Sequence, residues 1–409
     1  MKFIHLSDLH IGKSVNGFSM IEDQKYILEQ ILGIIDDEDP KAVLIAGDVY
    51  NRLTPSTEAV KLLDDFLYKL STRDLEVFLI SGNHDSSERL SFGRRMMKEN
   101  VHIAPTYDGT VEPVRVPDEH GFVNIWMLPF VIPQNVRTML GNKLANDETK
   151  NDEAIKEVEA IKTFQDALKA IVKDMNIDKK ERNVLVMHQF ITDAEQSDSE
   201  FNKMKVGTLE NIDADVFKDF DYVALGHIHK PQDIANTAGR IRYCGTPLKY
   251  SFSEIDRDKS VTVIELGSKA GEEGAEMERY FVPLKPLRDM KEIRGTFEEI
   301  MSKEFYKEAD YPSHYVKVVL SEEKDIPDVM TKLRKVYPYV MGYEYERETT
   351  EGETEDGRMV KFKDLTPLEL FKEFYLDQRG FEIKEEHLEV VKEIIDALSD
   401  DLDNDDEEV

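Results

Sequence analysis

The sequence predicts an α/β protein on three observations. Short β-rich runs alternate with helical periodicity from residue 1 to about 270, a prolyl segment then resets the pattern, and polar clusters follow one strand candidate after another. At 409 residues the chain exceeds what one hydrophobic core usually organises, so a catalytic domain with smaller appendages is expected.

Taken in order, the strand candidates of the first region are residues 2–7, 42–46, 77–81, 123–128, 183–187, 222–225, 242–244 and 260–266, each rich in Val, Ile, Leu, Phe or Tyr. Between them the spacing of apolar positions predicts helices over 19–36, 56–72 and 154–175. This region, 1–270, is read as the catalytic domain. After Pro283-Leu284-Lys285-Pro286, a helix over 296–305, a strand over 314–320, a helix over 327–337 and a strand over 340–346 predict a small α/β capping domain spanning 283–348. The acidic loop 351–357 follows. Thr366 as N-cap, Pro367 at the first helical position and Glu369 three residues after Thr366 then predict a helix to residue 378. A second helix is expected over 385–398, so that 364–398 forms a helical pair ahead of a disordered acidic tail, 399–409.

Composition narrows the function classes. The 53 basic and 84 acidic side chains leave a net charge of −31, which argues against coating nucleic acid by charge alone. It does not exclude a nuclease, because much of the excess sits in the runs 351–356 and 400–408 and metal-site carboxylates are neutralised by their ions. Any DNA affinity must come from local basic groups, metals or a partner. A single cysteine, Cys244, permits no intramolecular disulfide and reads as a buried strand residue. No signal-like segment precedes the first strand and no apolar run is long enough to cross a bilayer, so a soluble cytoplasmic protein is expected.

Five polar clusters sit just beyond strand candidates, where α/β proteins assemble ligand sites: Asp8-Leu9-His10, Gly47-Asp48, Gly82-Asn83-His84-Asp85, His188 and Gly226-His227-Ile228-His229. Aspartate, histidine and an asparagine amide suit two divalent cations. A carboxylate such as Asp48 can bridge two ions, and Asp8 and His10, as alternate strand residues, are expected to point the same way and grip one. Neutral imidazoles add affinity without excess negative charge, and the glycines let backbone approach the ions. Such a pair of ions activates water and clamps a phosphate for in-line attack. His5, on the opposite strand face, and His102, His120, His314 and His387, without companions, are expected to be structural or solvated.

In this order the five clusters resemble the calcineurin-like metallophosphoesterase superfamily, and the start Met1 to Lys13, Gly82 to Ser86, Asp221 to Gln232 and Tyr243 to Pro247 resemble its DNA-repair exonuclease branch. Thr366 to Phe371 and Gln378-Arg379-Gly380 extend the likeness to about residue 398. The resemblance implies a β-sandwich of two mixed sheets flanked by helices. It implies one metal on Asp8, His10, Asp48 and His229, and a second on Asp48, Asn83, His188 and His227. His84 is then the residue that orients the phosphate and assists the leaving oxygen, and manganese or magnesium is the implied metal. The implied partners are DNA and an SMC-like ABC ATPase with a long coiled coil, in a heterotetramer containing a homodimer of this chain. The implied activity is ATP-regulated double-strand exonuclease and single-strand or hairpin endonuclease action in DNA repair, recombination and replication. The helices after Thr366 would dock on the coiled-coil base through Leu368, Leu370, Phe371, Phe374, Tyr375, Leu388, Val391, Ile394 and Ile395, or else pack internally. One departure is Asn51, where archaeal and eukaryotic relatives carry a histidine. Two rival readings stand beside this one: a phosphomonoesterase or cyclic-nucleotide phosphodiesterase on the same metal site, and a non-catalytic scaffold.

Overall fold

The computed structural model describes residues 1–145, 152–191, 194, 212–269, 274–322 and 324–346, together with residues 368, 372, 387, 388, 391 and 392. Two six-stranded sheets dominate it. The first runs in the order Met277–Pro283, Ser260–Leu266, Lys2–Leu6, Ala42–Ala46, Glu76–Ile80 and Val101–Ala104. Its last four strands are parallel, and the first two are added antiparallel. The second sheet repeats this plan: Ile241–Tyr243, Tyr222–Gly226, Arg182–His188 and Gly121–Leu128 are parallel, with Gln232–Asp233 and Val114–Asp118 antiparallel at the edges.

The central strands are buried on both faces, so they read as unbroken apolar runs such as Ala-Val-Leu-Ile-Ala over Ala42–Ala46. Alternate residues face opposite layers. Phe3, Leu44, Phe78 and Ile80 of the first sheet meet Val123, Val184, Val186 and Tyr222 of the second to form the sandwich centre. Ile4, Val43, Ile45 and Leu79 face outward onto helices Ile21–Glu38 and Thr57–Ser71. Leu185, Met187, Val223 and Leu225 do the same for helices Pro133–Ala145 and Phe164–Asp174. The expected two-sheet sandwich flanked by helices is the fold observed. The parallel strands that precede a polar cluster, three in the first sheet and two in the second, deliver their C-terminal ends to one side, and that side carries the site.

Residues beyond the prolyl segment build a parallel three-stranded sheet, Met290–Gly295, Tyr315–Leu320 and Val340–Tyr345, around Ile293, Ile300, Val316, Val318, Leu333 and Tyr337. It is tied to helix Ile21–Glu38 through buried Asp23, which accepts hydrogen bonds from Tyr315 Oη at 2.7 Å and Arg288 Nη1 at 3.0 Å. Met1–Tyr345 is one compact unit and Glu346–Val409 a second. In the second, residues 368, 372, 387, 388, 391 and 392 are helical; Leu368, Leu388 and Val391 are half-buried while Lys372, His387 and Lys392 are exposed. The rest of the expected helices at 366–378 and 385–398, with both acidic runs, lies outside the described residues. Among the described residues no helix is long and apolar enough to cross a membrane.

Three helical expectations differ from what is observed. The stretch 154–175 divides into Asp152–Glu159 and Phe164–Asp174, because Thr163 caps the second helix: its hydroxyl accepts from Asp166 N, and the Asp166 carboxylate accepts from Thr163 N. The stretch 296–305 divides in the same way, with Ser302 capping Lys303–Glu308 after Phe297–Ile300. Helix 327–337 contracts to Val329–Leu333. Strands Val101–Ala104, Val114–Asp118, Met277–Pro283 and Met290–Gly295 were not expected.

Candidate metal centre

Three of the five polar clusters leave their strands through backbone that is costly for a side-chain-bearing residue. Asp8, His10, Asp48 and His227 have φ of 51°, 44°, 47° and 101°, in the left-handed region that persists only where surroundings enforce it. Those surroundings are hydrogen bonds between the clusters themselves. Asp8 N donates to Gly47 O, His10 N to Asp48 O and Ile11 N to Val49 O, all at 2.9 to 3.0 Å. His227 N donates to Asp8 Oδ1 at 3.0 Å, and His84 N to Asp48 Oδ1 at 2.9 Å. The expected reason for pairing Asp8 with His10, strand alternation, is therefore corrected: the strand ends at Leu6 and the two left-handed turns aim both side chains. Close approach also explains Gly226, where a Cβ would lie 1.9 Å from Ala46 O.

All eight residues singled out in the sequence come together. Asp8, His10, Asp48, His188 and His229 are buried, while Asn83, His84 and His227 are half-buried and form the side that meets solvent. His10 Nε2 faces His229 Nε2 at 3.0 Å, and Asp8, His10 and His229 can each offer a ligand atom within 4.8 Å of the others. Asn83 Oδ1 lies 3.0 Å from both His188 Nε2 and His227 Nδ1. Asp48 stands between these groups, with Oδ2 3.7 Å from His10 Nε2 and Oδ1 3.5 Å from His188 Nε2. His188 Nδ1 donates to Ala46 O at 2.8 Å, which leaves Nε2 toward the centre. His84 Nδ1 donates to the Asn51 backbone carbonyl at 3.1 Å, and its Nε2 is 3.9 Å from Asp48 Oδ2. That contact uses the main chain of Asn51 and not the amide that departs from the relatives.

Burial sets the protonation states. It holds His10 and His229 well below the usual imidazole range and pushes His227 down to about 3, with neighbouring His188 adding to the effect on His227. Burial also opposes charge on His188, yet the adjacent Asp48 carboxylate overcomes it and raises the ring to about 9. Asp48 is correspondingly held well below the carboxylate range despite its burial, chiefly by His188. Burial raises Asp8 to about 7, opposed by His188 and reinforced by Asp48. Three neutral imidazoles, the His188 ring, which gives up its proton when an ion takes its place, crowded carboxylates and an amide oxygen converge as the donor set that divalent cations satisfy. The residues fit such ions.

The other histidines stay out of this cluster. His5 is buried on the opposite face, 2.9 Å from Tyr222 Oη, and His102 pairs with Glu76 while stacking on Phe78. His314 Nδ1 accepts from Asp289 N, and His120 and His387 are exposed. Cys244 is buried, and burial pushes its thiol up to about 12. The support that Asp85 gives within its cluster, and Gln24 altogether, were not read from the sequence. Asp85 accepts from Gly82 N, Val49 N and Tyr50 N at 2.8 to 3.0 Å, joining two of the clusters. Gln24 Nε2 donates to His10 O at 2.7 Å and to Tyr250 Oη at 2.9 Å, while Gly12 N donates to Gln24 Oε1. A glutamine on the buried face of an amphipathic helix was the signal available for it.

The calcineurin-like phosphoesterase family matches residues 1–231, more than half of the chain. SbcD, the D component of the nuclease SbcCD, from Staphylococcus epidermidis is 34% identical over 344 residues, covering 83% of this chain and 84% of that protein. The chain belongs to the calcineurin-like phosphoesterase family, in its SbcD branch. The corresponding protein of Staphylococcus saprophyticus is 31% identical over 342 residues, covering 83% of each chain. A second family, described as the type 5 capsule protein repressor C-terminal domain, matches residues 286–379. A crystal structure of a dimetal phosphatase from Danio rerio aligns with a TM-score of 0.38 and 10% identity, over 68% of this chain and 98% of that one. Membership of the calcineurin-like phosphoesterases makes the chain a phosphoester hydrolase that binds divalent metal.

Proposed function

We propose that this chain is the DNA-cleaving component of a complex with an SMC-like ABC ATPase of the SbcC type, hydrolysing phosphodiester bonds with two divalent cations. The observation that carries the reading is the position of Asp48, whose two carboxylate oxygens face separate donor groups in a chain similar to proteins named as the SbcD component of the nuclease SbcCD. One ion is assigned to Asp8, His10, Asp48 and His229, the other to Asp48, Asn83, His188 and His227. The mixture of imidazole and carboxylate favours manganese, with magnesium the alternative. When bound, two such ions supply Lewis-acid charge for the phosphate and a nucleophile at neutral pH.

The chain's own residues do the rest. His84, on the solvent side with Nδ1 engaged by Asn51 O, presents Nε2 to the phosphate and delivers a proton to the leaving oxygen. Ser7, whose hydroxyl donates to Asp8 Oδ2 at 2.5 Å, and Gln24 hold the Asp8 to His10 turn. Residues 1–270 are assigned to nuclease chemistry, 283–348 to capping, 364–398 to docking on the coiled coil and 399–409 to an acidic tail. The ATPase then provides the basic DNA surface that a chain of net charge −31 lacks, and ATP-regulated exonuclease and hairpin endonuclease action follow, in the cytoplasm.

The test is incubation of the purified chain and manganese with labelled linear duplex, with and without the ATPase, beside a phosphomonoester and a cyclic nucleotide. Duplex cleavage stimulated by the ATPase supports the reading. Turnover of the small esters without any attack on DNA overturns it in favour of a small-molecule esterase.

A further inference from the structure

His229 follows strand Tyr222–Gly226 of the second sheet, whereas Asp8 and His10 follow strand Lys2–Leu6 of the first. The donor group Asp8, His10 and His229 therefore holds its spacing only if something fixes the two sheets relative to one another at this point. A buried ion pair lies where such a brace is needed. Lys259 immediately precedes strand Ser260–Leu266, the neighbour of Lys2–Leu6 in the first sheet. Its Nζ donates to the His229 carbonyl at 3.3 Å, to Thr246 Oγ1 at 2.7 Å and to Glu254 Oε2 at 2.6 Å. Lys259 is 4% exposed and Glu254 0%.

The backbone around this pair is equally tight. Thr246 N also donates to His229 O, and a Cβ on Gly245 would lie 2.6 Å from that oxygen and 2.8 Å from Pro231 Cδ. Burying a lysine and a glutamate together is expensive, and well-packed apolar residues often stabilise a fold as well or better. Neither residue belongs to the donor cluster.

We infer that Lys259, Glu254 and Thr246 are positioning residues that clamp the His229 backbone across the two sheets and so set the geometry of the first metal position. This rests on the metal reading proposed above. By holding the carbonyl, the clamp keeps the His229 ring facing His10 at 3.0 Å, ready for a shared ion. Outlying groups that orient metal ligands typically control affinity by ~10- to 100-fold.

The experiment measures manganese binding to the metal-free full chain by equilibrium dialysis with elemental analysis. It compares the parent, the Lys259→Met/Glu254→Met double variant, Thr246→Val and Thr246→Ser. Circular dichroism of each metal-free protein reports its fold. The parent is expected to hold two ions. The double variant, which leaves no orphaned charge, should fold and lose ~10- to 100-fold in affinity for one ion only. Thr246→Val should weaken the same ion to a smaller degree, and Thr246→Ser, which keeps the hydroxyl, should restore parent binding. Parent affinities for both ions in the folded variants would overturn the clamp and reduce the pair to a fold element. Equal weakening of both ions would also overturn it. Should the double variant fail to fold, the Thr246→Val and Thr246→Ser pair decides on the same outcomes. A parent that binds no divalent ion overturns the metal reading itself, and the clamp with it.

Discussion

Replacing His84 by alanine separates a residue that acts on the phosphate from one that holds an ion. His84 can offer a ligand atom within 4.8 Å of His10 and Asp48, so the two roles make different predictions for the same substitution. Its side chain is 25% exposed, against 0 to 4% for those of His10, Asp48 and His188. The ring nitrogen Nδ1 bonds Asn51 O, while the bond to Asp48 Oδ1 comes from the main-chain amide and survives in alanine. The folding cost is therefore one partly exposed hydrogen bond, about 1 kcal/mol. The catalytic cost is that of a general acid, about 10² to 10⁴ in rate, or about 2.7 to 5.5 kcal/mol of barrier. Bound manganese should stay at the parent level while duplex cleavage falls by that factor. Elemental analysis of dialysed protein beside single-turnover cleavage reads both, and loss of an ion in His84→Ala would refute the assignment.

Asp48→Asn removes the negative charge between the two donor groups and should lose at least one ion with nearly all cleavage; two tightly held ions in that variant would remove the bridge. Arg182, 2% exposed, donates to Asp118 and to the carbonyls of Leu266 and Gly267; because the Met1 ammonium still faces Asp118 at 2.8 Å, Arg182→Met should destabilise the chain by about 1.5 to 3 kcal/mol in urea unfolding. Burial alone would raise Asp118, but Arg182, with the Met1 ammonium beside it, holds it well below the ordinary carboxylate range. Its folded value is depressed, so the stabilisation is complete above about pH 4 and drains away as pH falls further, and Arg182→Met should flatten that acid slope. Truncation before Asp364 should leave a folded, metal-binding phosphodiesterase that no longer co-purifies with the ATPase. Retained binding and undiminished cleavage would make the C-terminal helices packing elements only.

Much of this was legible because burial leaves a coarse mark on sequence. Strands buried on both faces, such as Ala42–Ala46, read as continuous apolar runs, and the residues that end them are polar where the site needs donors. Strands at sheet edges do not read so clearly. Met277–Pro283 mixes half-buried and exposed residues with none fully buried, and Val114–Asp118 contains Pro117, which an edge tolerates. Thr163 and Asp166 carried a capping signature inside a helical pattern, and periodicity outweighed it. The supports of the site were the least legible. Gln24 reaches Tyr250, and Lys259 reaches His229, through contacts between residues far apart in sequence that only the closed sandwich creates. Asp8 and His10 were paired for a local reason, and the left-handed turns that pair them depend on bonds to Gly47 and Asp48.

The most direct test of a two-ion phosphodiesterase is a stepwise manganese titration of metal-free chain, following bound ion and cleavage of labelled linear duplex in the same samples. Cleavage that stays near zero through the first equivalent and rises with the second is the predicted result. Full cleavage at one equivalent, or cleavage indifferent to manganese, would contradict it.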